Sequence, residues 1–368
     1  MRSLKRLVAG STICLLAAIA GLAASVEAPS SISFTGAVAR PGSLDNSSTQ
    51  GLQQYERLLK VTGANGHYRA AIEVKGYALK DVLNQFEVKK KTDDGFDRPL
   101  DTLVVVKGRD GSQVLLSYSE IYFAADGGPL LVPQARLLLP HHHNPIEAGA
   151  NDPTAFHSVA ERGQIDVRSC ETCHHGDSPI PLVWVPKGWL LAVPQDGFGG
   201  RFVEDVTEIS VRQVGISVQE NREKAKSAVT EPVVIGLDGK QTAVTPELLK
   251  QATQRTYKGA AFGMGMGFQG ERTWEGADLG SLLRPLLPAG ADPRKIWVLA
   301  TAEDGYRSVY SGAEVFQAPQ GRGVMIVDRI NAEPLGAGSG RYHIFATHDF
   351  YADREVHQVK EIRLGLLQ

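Results

Sequence analysis

The sequence predicts a strand-rich α+β fold made of two related halves, with an insertion in the first half. Three observations lead to this prediction. Apolar runs rich in Val and Ile are separated by Asp-Gly or Gly-Gly turns, which is typical of antiparallel strands joined by hairpins. A short amphipathic helix follows a glycine in each half. Similar residue patterns recur in the same order along the chain, which indicates an internal repeat.

Composition restricts the protein to a globular chain of about two domains. The 368 residues are 42% hydrophobic and 22% charged, a balance too apolar for a disordered chain and too polar for a polytopic membrane protein. The 39 basic and 41 acidic residues leave a net charge of -2. Such a balance excludes nucleic acid as an expected partner, because no basic surface is available for a phosphate backbone.

The N-terminal segment, positions 1–28, predicts a cleaved signal peptide and therefore an exported, periplasmic protein. An apolar run spans positions 7–24, and Val26-Glu27-Ala28 supplies the small residues that signal peptidase requires. The basic residues before this run are Arg2, Lys5 and Arg6. We expect no membrane span after cleavage; a retained membrane anchor is the alternative, and the interruptions of the apolar run count against it.

The internal repeat predicts two units, residues 29–215 and 216–368, with a polar linker at 219–229. A helix is predicted over Leu79–Phe86 and another over Leu279–Leu286, because Leu, Val and Phe fall on one helical face. The other matching positions are Gly76 and Gly276, Asp110-Gly111 and Asp304-Gly305, Glu120 and Glu314, and Arg201 and Arg354. The two Asp-Gly pairs are predicted hairpin turns.

Unequal spacing between matching residues locates an insertion in the first unit. The chain from Glu120 to Arg201 is twice as long as the chain from Glu314 to Arg354, although both intervals join matching positions. We place the insertion at about residues 140–186. This segment contains six of the ten histidines and both of the cysteines that remain after signal cleavage.

The order of these motifs resembles the molybdopterin-binding domain of the sulfite oxidase family. The second unit shows the resemblance best, and the first unit shows a degenerate version of it. The motifs are Gly276-x-x-Leu279, Asp304-Gly305-Tyr306, Glu314, Asn331-x-x-Pro334-Leu335 and Val359-Lys360-x-Ile362. The resemblance spans most of the mature chain and implies two tandem sulfite-oxidase-like repeats.

One residue that the resemblance requires is missing. Enzymes of the family hold molybdenum through a cysteine thiolate located between an early strand and the Gly-x-x-Leu helix. The corresponding segments here, residues 59–68 and 256–272, contain no cysteine. We therefore carry over the fold and regard bound molybdopterin as doubtful. Arg201 and Arg354 could bind an anion in a cleft like that of the family, or form a surface salt bridge fixed by the repeat.

The segment Cys170-Glu171-Thr172-Cys173-His174 is the C-x-x-C-H pattern of covalent haem attachment. Cys170 and Cys173 are spaced to reach the two vinyl groups of one haem c, and His174 is then the proximal ligand of the iron. Two alternatives stay open: a zinc site that uses the cysteines with nearby histidines, and a plain disulfide or redox pair.

The sixth ligand of such a haem has several candidates. The insertion offers His141, His142, His143 and His157, whose concentration favours ligation by two histidines. His175 is the poorest geometric candidate because it directly follows the proximal ligand. Outside the insertion, Met264 and Met266 are alternatives. A solvated polar turn is an equally simple interpretation of the run His141 to His143.

A G-x-G-x-x-G pattern at Gly265–Gly270 does not predict a dinucleotide site, because neither an apolar strand nor a helix flanks it. We expect a flexible loop over residues 259–270 instead.

Together these features predict an exported haem protein that transfers electrons between redox protein partners and is more an electron carrier or accessory subunit than a catalyst. The alternatives are a molybdopterin-dependent oxidoreductase or its haem subunit, and a binding module stabilised by zinc or a disulfide.

Overall fold

The architecture comes from a computed structural model. It describes residues 31–45, 47–62, 68–90, 95–140, 156–158, 188–196, 200–216, 218–221, 223, 231–319, 323–336 and 340–367. The predicted signal peptide and most of the predicted linker lie outside these residues.

The described chain is strand-rich with short helices, as the sequence predicts. The strands of the first half are β1 Ile32–Gly36, β2 Gly42–Leu44, β3 Gln54–Thr62, β4 Tyr68–Ala78, β5 Thr102–Gly108, β6 Gln113–Ser117, β7 Leu130–Pro140, β8 Phe156–Ser158, β9 Leu190–Ala192 and β10 Val206–Gln213. Those of the second half are β11 Val233–Ile235, β12 Gln241–Ala243, β13 Gln254–Gly263, β14 Gly267–Asp278, β15 Ile296–Ala302, β16 Arg307–Ser311, β17 Val324–Ile330, β18 Glu333–Pro334, β19 His343–Ala346 and β20 Val359–Leu366.

Short helices follow several of these strands. The α-helices are α1 Leu79–Phe86, α2 Tyr118–Tyr122, α3 Pro246–Gln251, α4 Leu279–Leu283 and α5 Gly312–Phe316. Single 3₁₀ turns occupy Pro99–Asp101, Arg284–Leu286, Pro293–Lys295 and Ala352–Arg354. No helix of the described ranges is long and apolar enough to cross a membrane.

The strand order of the first half recurs in the second. One sheet of the first half has the order β2-β1-β10-β5-β6, and its counterpart has the order β12-β11-β20-β15-β16. The other sheet is β3-β4-β7-β8 with β9 beside β7, and its counterpart is β13-β14-β17-β18 with β19 beside β17. In each half the first and last strands pair in parallel, and the other pairs are antiparallel.

The predicted helices begin where expected. α1 has the predicted bounds, and its buried residues are Leu79, Val82, Leu83 and Phe86. The second helix begins at Leu279, as predicted, but its α-helical part ends at Leu283 and a 3₁₀ turn continues to Leu286. Pro285 explains the difference, because proline has no N–H to donate within an α-helix.

The glycine that precedes each of these helices lies at an irregularity of the sheet. The register shifts between Lys75 and Tyr77 in one half and between Glu275 and Gly276 in the other. A Cβ at Gly276 would lie 2.0 Å from the carbonyl oxygen of Ile326. The bulge therefore brings a neighbouring backbone too close for any side chain.

The expected flexible loop at residues 259–270 is wrong. These residues form the end of β13, a turn and the start of β14, with Gly259 opposite Arg272 and Phe262 opposite Phe268. The glycines are tolerated here because backbone pairing continues across the hairpin. The pattern lies at the turn between two paired strands and not between a strand and a helix, so it lacks the context of a dinucleotide fingerprint.

Each half has its own apolar core, and a smaller cluster joins the halves. The joining cluster contains Leu103, Val105 and Leu115 from the first half and Leu299 and Val309 from the second. β6 contacts β16 across the interface between the halves. The helices that follow these strands, α2 and α5, therefore begin at that interface.

Candidate functional site

A capping box places one glutamate of each half at this interface. Ser117 ends β6 and caps α2: its Oγ accepts the Glu120 N–H at 3.1 Å, and the Glu120 carboxylate accepts the Ser117 N–H at 2.6 Å. Ser311 and Glu314 form the same box between β16 and α5. This arrangement satisfies helix N–H groups that would otherwise have no partner, and it fixes both carboxylates.

Arg201 neutralises the cluster of the first half. Its Nη1 donates to both carboxylate oxygens of Glu120, at 2.8 and 2.7 Å, and its Nε and Nη2 donate to Asp196, at 2.9 and 2.5 Å. The guanidinium side chain is 1% exposed.

Arg354 occupies the equivalent position in the second half. Its Nη1 lies 2.7 Å from Glu314 Oε1, and its Nη2 donates to Asp349 at 2.8 Å while Nε forms a second, short bond to the same carboxylate. The side chain is also 1% exposed. Both arginines are thus buried ion-pair partners, and the expectation of a surface salt bridge is wrong, because the interface between the halves covers them.

Hydrogen bonds connect the two clusters across the interface. The Ser117 hydroxyl donates to Glu314 at 2.9 Å, and the Arg201 guanidinium donates to the Ser311 hydroxyl at 3.0 Å. Arg354 donates to Ser117 at 3.3 Å. The result is one continuous polar network at the centre of the molecule, in which removal of one member leaves another without its partner.

Four carboxylates and two guanidiniums share this interior, so full ionisation would leave two uncompensated negative charges. Burial raises the pKa of Glu120 to about 8, and the neighbouring Glu314 adds to the effect. Burial also raises the pKa of Asp349. For Glu314 burial acts in the same direction, but Arg354 and His348 outweigh it and lower the pKa. Burial therefore favours the protonated form of Glu120, whereas Arg354 and His348 favour the ionised form of Glu314.

His348 and Gln195 occupy equivalent positions beside the clusters. Burial lowers the pKa of His348, so its ring is neutral at neutral pH. The ring Nε2 lies 3.1 Å from Arg354 Nη2 and accepts its hydrogen, which assigns the ring proton to Nδ1. Within the described chain neither that Nδ1 nor the amide of Gln195 has a hydrogen-bond partner.

A small cleft separates these side chains. It is lined by Gln195, Asp196, Arg201, Glu314, Ala318, Pro319 and His348. Its volume of about 10 Å³ is about what one water molecule needs. A water there would offer a partner to the unpaired amide and imidazole groups.

The residues present do not fit molybdopterin. The segments that would supply the metal thiolate contain no cysteine. The arginines that the family resemblance offers as anion ligands are already bonded to four carboxylates.

A second buried ion cluster joins the halves near the 3₁₀ turn before β5. Asp101 of the first half accepts from Arg307 of the second at 2.8 Å and from Lys90 at 2.5 Å. The Arg307 guanidinium carbon lies 4.4 Å from the centre of the Phe96 ring. This cluster therefore ties the 3₁₀ turn of the first half to β16 of the second.

A histidine pair with a carboxylate lies at the edge of the second half. His343 Nδ1 is 3.1 Å from Glu355 Oε1, and His357 Nε2 is 3.4 Å from Glu355 Oε2. The two imidazole rings stack, with centroids 4.0 Å apart. Burial would raise the pKa of Glu355, but the hydrogen bonds from the two histidines lower it to about 2.

The haem ligands predicted from sequence lie almost entirely outside the described residues. This holds for Cys170, Cys173, His174 and the run His141 to His143. The backbone of His157 belongs to β8 and pairs with Leu139 of β7. Met264 and Met266 lie at the tip of the β13–β14 hairpin and are 61% and 81% exposed.

The central network shows what sequence reasoning missed. The Asp196 and Asp349 positions carried a signal, an acidic residue five places before each matching arginine. The serines carried another, since Ser-x-x-Glu is a capping box pattern. His343, Glu355 and His357 carried none, because only strand pairing brings them together.

Comparisons with known proteins add little to this geometry. No protein-family model matches the chain, and no curated protein matches it. Among solved structures, the chain is similar to the sulfane dehydrogenase SoxCD from Paracoccus pantotrophus, with a TM-score of 0.30 and 9% sequence identity over 92% of this chain and 77% of that chain. Since so low a score carries no argument, the functional conclusion rests on the residues themselves.

Proposed function

We propose that the protein is an exported c-type haem protein that transfers single electrons between redox protein partners. The observation that carries the proposal is the Cys170-x-x-Cys173-His174 motif. On this proposal the two halves are tandem sulfite-oxidase-like units, and the body that they form serves as a rigid carrier for the haem segment rather than as a catalytic centre.

The connection that contains the motif supports this division of labour. In the first half β7 ends at Pro140 and β9 begins at Leu190. The equivalent connection in the second half is far shorter, since β17 ends at Ile330 and β19 begins at His343. The additional chain leaves the strand order unchanged. A segment that the sheets do not require is free to carry a cofactor.

The closed centre of the molecule also supports a carrier rather than a molybdenum enzyme. The guanidinium groups of Arg201 and Arg354 donate hydrogen bonds to side chains of the described residues. Neither arginine is therefore available to hold a cofactor phosphate without breaking these bonds.

In this function Cys170 and Cys173 would hold one haem through thioether bonds, and His174 would bind its iron. The haem would supply reversible one-electron chemistry. His157 is the sixth-ligand candidate that we favour, because pairing of β8 with β7 fixes its backbone. His141, His142 and His143 remain the competing candidates.

Absorbance and intact mass of the full chain test the proposal. The protein is produced with a haem-maturation system and exported. We expect a haem spectrum that survives denaturation, a mass increased by one haem, and an N-terminus just after Ala28. The Cys170→Ala/Cys173→Ala variant should lose both haem signals and keep the processed N-terminus.

The same measurements distinguish the alternatives. A mass two hydrogens below that of the reduced chain identifies a disulfide, and bound zinc without haem identifies a metal module. Either result overturns the proposal. Molybdenum at one atom per chain in protein from its native host would instead identify a molybdopterin enzyme.

For the sixth ligand, His157→Ala should shift the haem spectrum and potential, whereas His141→Ala should not. The reverse result would assign the ligand to the histidine run.

A further inference from the structure

We propose that His343, Glu355 and His357 form a binding site for one divalent transition-metal ion of the zinc type. The site is separate from the haem motif and lies on the second half. Nothing in the proposed electron-transfer function requires it.

A β-bridge brings the three side chains together. Ile344 and Val356 exchange both backbone hydrogen bonds, at 2.9 and 3.0 Å. In an antiparallel bridge the residues on either side face each other, so His343 lies opposite His357. Glu355 points to the same face, because side chains alternate along an extended segment.

The donor atoms already have nearly the spacing that a metal needs. Zinc binds imidazole nitrogen and carboxylate oxygen at about 2.0 to 2.2 Å in a tetrahedron, which places ligand atoms roughly 3.3 Å apart. The two nitrogen–oxygen separations are 3.1 and 3.4 Å. One donor atom from each residue lies within 4.8 Å of the others. The two distances go to different oxygens of Glu355, and the imidazole rings are stacked, so His357 must turn out of the stack to aim its nitrogen at a shared ion. Its side chain is 55% exposed and has room to do so.

The donor set selects the class of ion. Two imidazoles and one carboxylate suit zinc and related borderline metals, whereas calcium and magnesium prefer oxygen ligands alone. Three protein ligands leave a fourth position for water. The exposure of His357 gives an ion a route from solvent to the two buried ligands.

The first half holds different residues at the equivalent positions. The equivalent bridge joins Leu191 and Val203, so the positions of His343, Glu355 and His357 correspond to Leu190, Phe202 and Glu204. Leu190 and Phe202 belong to one apolar cluster. The fold thus accepts an apolar pair at this place.

A buried carboxylate is therefore not a requirement of the fold. The side chains of His343 and Glu355 are 3% and 4% exposed. Burial of such a pair costs free energy that an apolar pair does not, unless a cation compensates the carboxylate. The guanidinium of the adjacent Arg354 already contacts Asp349 and Glu314. Without a bound metal, the two histidines are the only described residues that pair with this carboxylate; a metal ion would bind all three side chains and supply the compensating charge.

A calorimetric titration of the full-length protein with Zn²⁺ tests the site. Histidines and cysteines elsewhere in the chain also bind zinc, so the decisive quantity is the difference between variants. We expect the wild type to bind one more ion per chain than His357→Ala, or to bind that ion about tenfold or more tightly. Zn²⁺ should also raise the melting temperature of the wild type more than that of the variant.

Two further variants make the result decisive. His343→Leu/Glu355→Phe installs the apolar pair of the first half and should lose the same ion. Glu333→Gln removes an exposed carboxylate of the same sheet and should bind zinc like the wild type. His357 is exposed, so His357→Ala gives an answer even if the double variant does not fold. Equal zinc stoichiometry and affinity in the wild type and His357→Ala would overturn the proposal.

Discussion

In the first half Arg201 lies between Glu120 and Asp196, and in the second half Arg354 lies between Glu314 and Asp349. The positions match, yet the carboxylates differ in proton affinity. The pKa of Glu120 rises to about 8, whereas that of Glu314 falls below its ordinary value. Equivalent backbone positions therefore do not give equivalent electrostatics.

The difference comes first from the charged neighbours: Arg354 and His348 outweigh burial at Glu314, whereas burial outweighs Arg201 at Glu120. Hydroxyl donors act in the same direction. Both Ser117 and Ser311 direct their hydroxyls at Glu314, at 2.9 and 3.1 Å. The backbone N–H of Ser117 bonds Glu120, but its hydroxyl donates across the interface instead. Donors to a carboxylate stabilise its ionised form. The position that holds His348 beside Glu314 is occupied by Gln195 in the first half.

Loss of either arginine should have the largest effect on stability. Arg201→Met and Arg354→Met keep the length of the side chain but leave buried carboxylates without a cation. We expect each to lower the free energy of unfolding by about 3–5 kcal/mol. Urea denaturation at neutral pH measures both. If one variant lost less than about 1 kcal/mol of unfolding free energy while the other lost the expected amount, the ion pair of that half would not contribute to stability as the other does.

The next effect is the pH dependence contributed by Glu120. Its folded pKa, about 8, lies above the ordinary value of 4.5. Between these values the folded state binds a proton that the unfolded state has released, so this contribution is complete below pH 4.5 and is lost as the pH rises through about 8. The glutamine of Glu120→Gln is neutral at every pH, so the stability of this variant should not decrease in this way as the pH rises.

Denaturation curves across the neutral range isolate this contribution. The stability of Glu120→Gln relative to the wild type should increase by up to a few kcal/mol from pH 6 to pH 9. This estimate uses about 1.4 kcal/mol for each unit of pKa difference. Glu333→Gln, an exposed change, should show no such trend. A constant difference between Glu120→Gln and the wild type would contradict the raised pKa.

Glu314→Gln should behave in the opposite way. The pKa of Glu314 is lowered, so its contribution is present above its ordinary value of 4.5 and is lost as the pH falls through the folded value. At pH 6 we expect Glu314→Gln to cost about 2 kcal/mol, the usual scale for a hydrogen bond to a charged group. Glu120→Gln should cost little there. Equal costs at pH 6 would remove the distinction between the two carboxylates.

Much of the fold could be predicted from sequence because local rules govern it. The apolar spacing of Leu79, Val82 and Leu83 predicts α1, and the recurring Gly-x-x-Leu pattern predicts where α4 begins. The end of α4 required attention to Pro285, and the hairpin at residues 259–270 required its pairing partner. Glycine-rich segments predict loops only where no neighbouring strand supplies hydrogen bonds.

The sites could be predicted only in part. The central arginines are visible in the repeat, but their burial depends on an interface between residues far apart in the sequence, such as Ser117 and Glu314. Proton affinities follow from that interface and not from residue type. The His343 and His357 pair depends on a bridge that no spacing rule indicates.

The smallest expected effect comes from making the two halves alike at one position. His348→Gln gives the second half the residue that the first half has at Gln195. The amide oxygen can replace the ring nitrogen that accepts from Arg354, now at 3.1 Å. At neutral pH we therefore expect a change below about 1 kcal/mol.

Mild acid should reveal the difference between the two residues. The pKa of His348 is lowered, so below its ordinary value of 6.5 the unfolded ring takes up a proton that the folded ring does not. The wild type thereby loses stability as the pH falls from 6.5 towards 5, and a glutamine cannot titrate. His348→Gln should gain stability relative to the wild type over this window, as followed by urea denaturation. Gln195→His, the reciprocal change, should show the opposite trend, because it adds a second buried imidazole that must charge on unfolding.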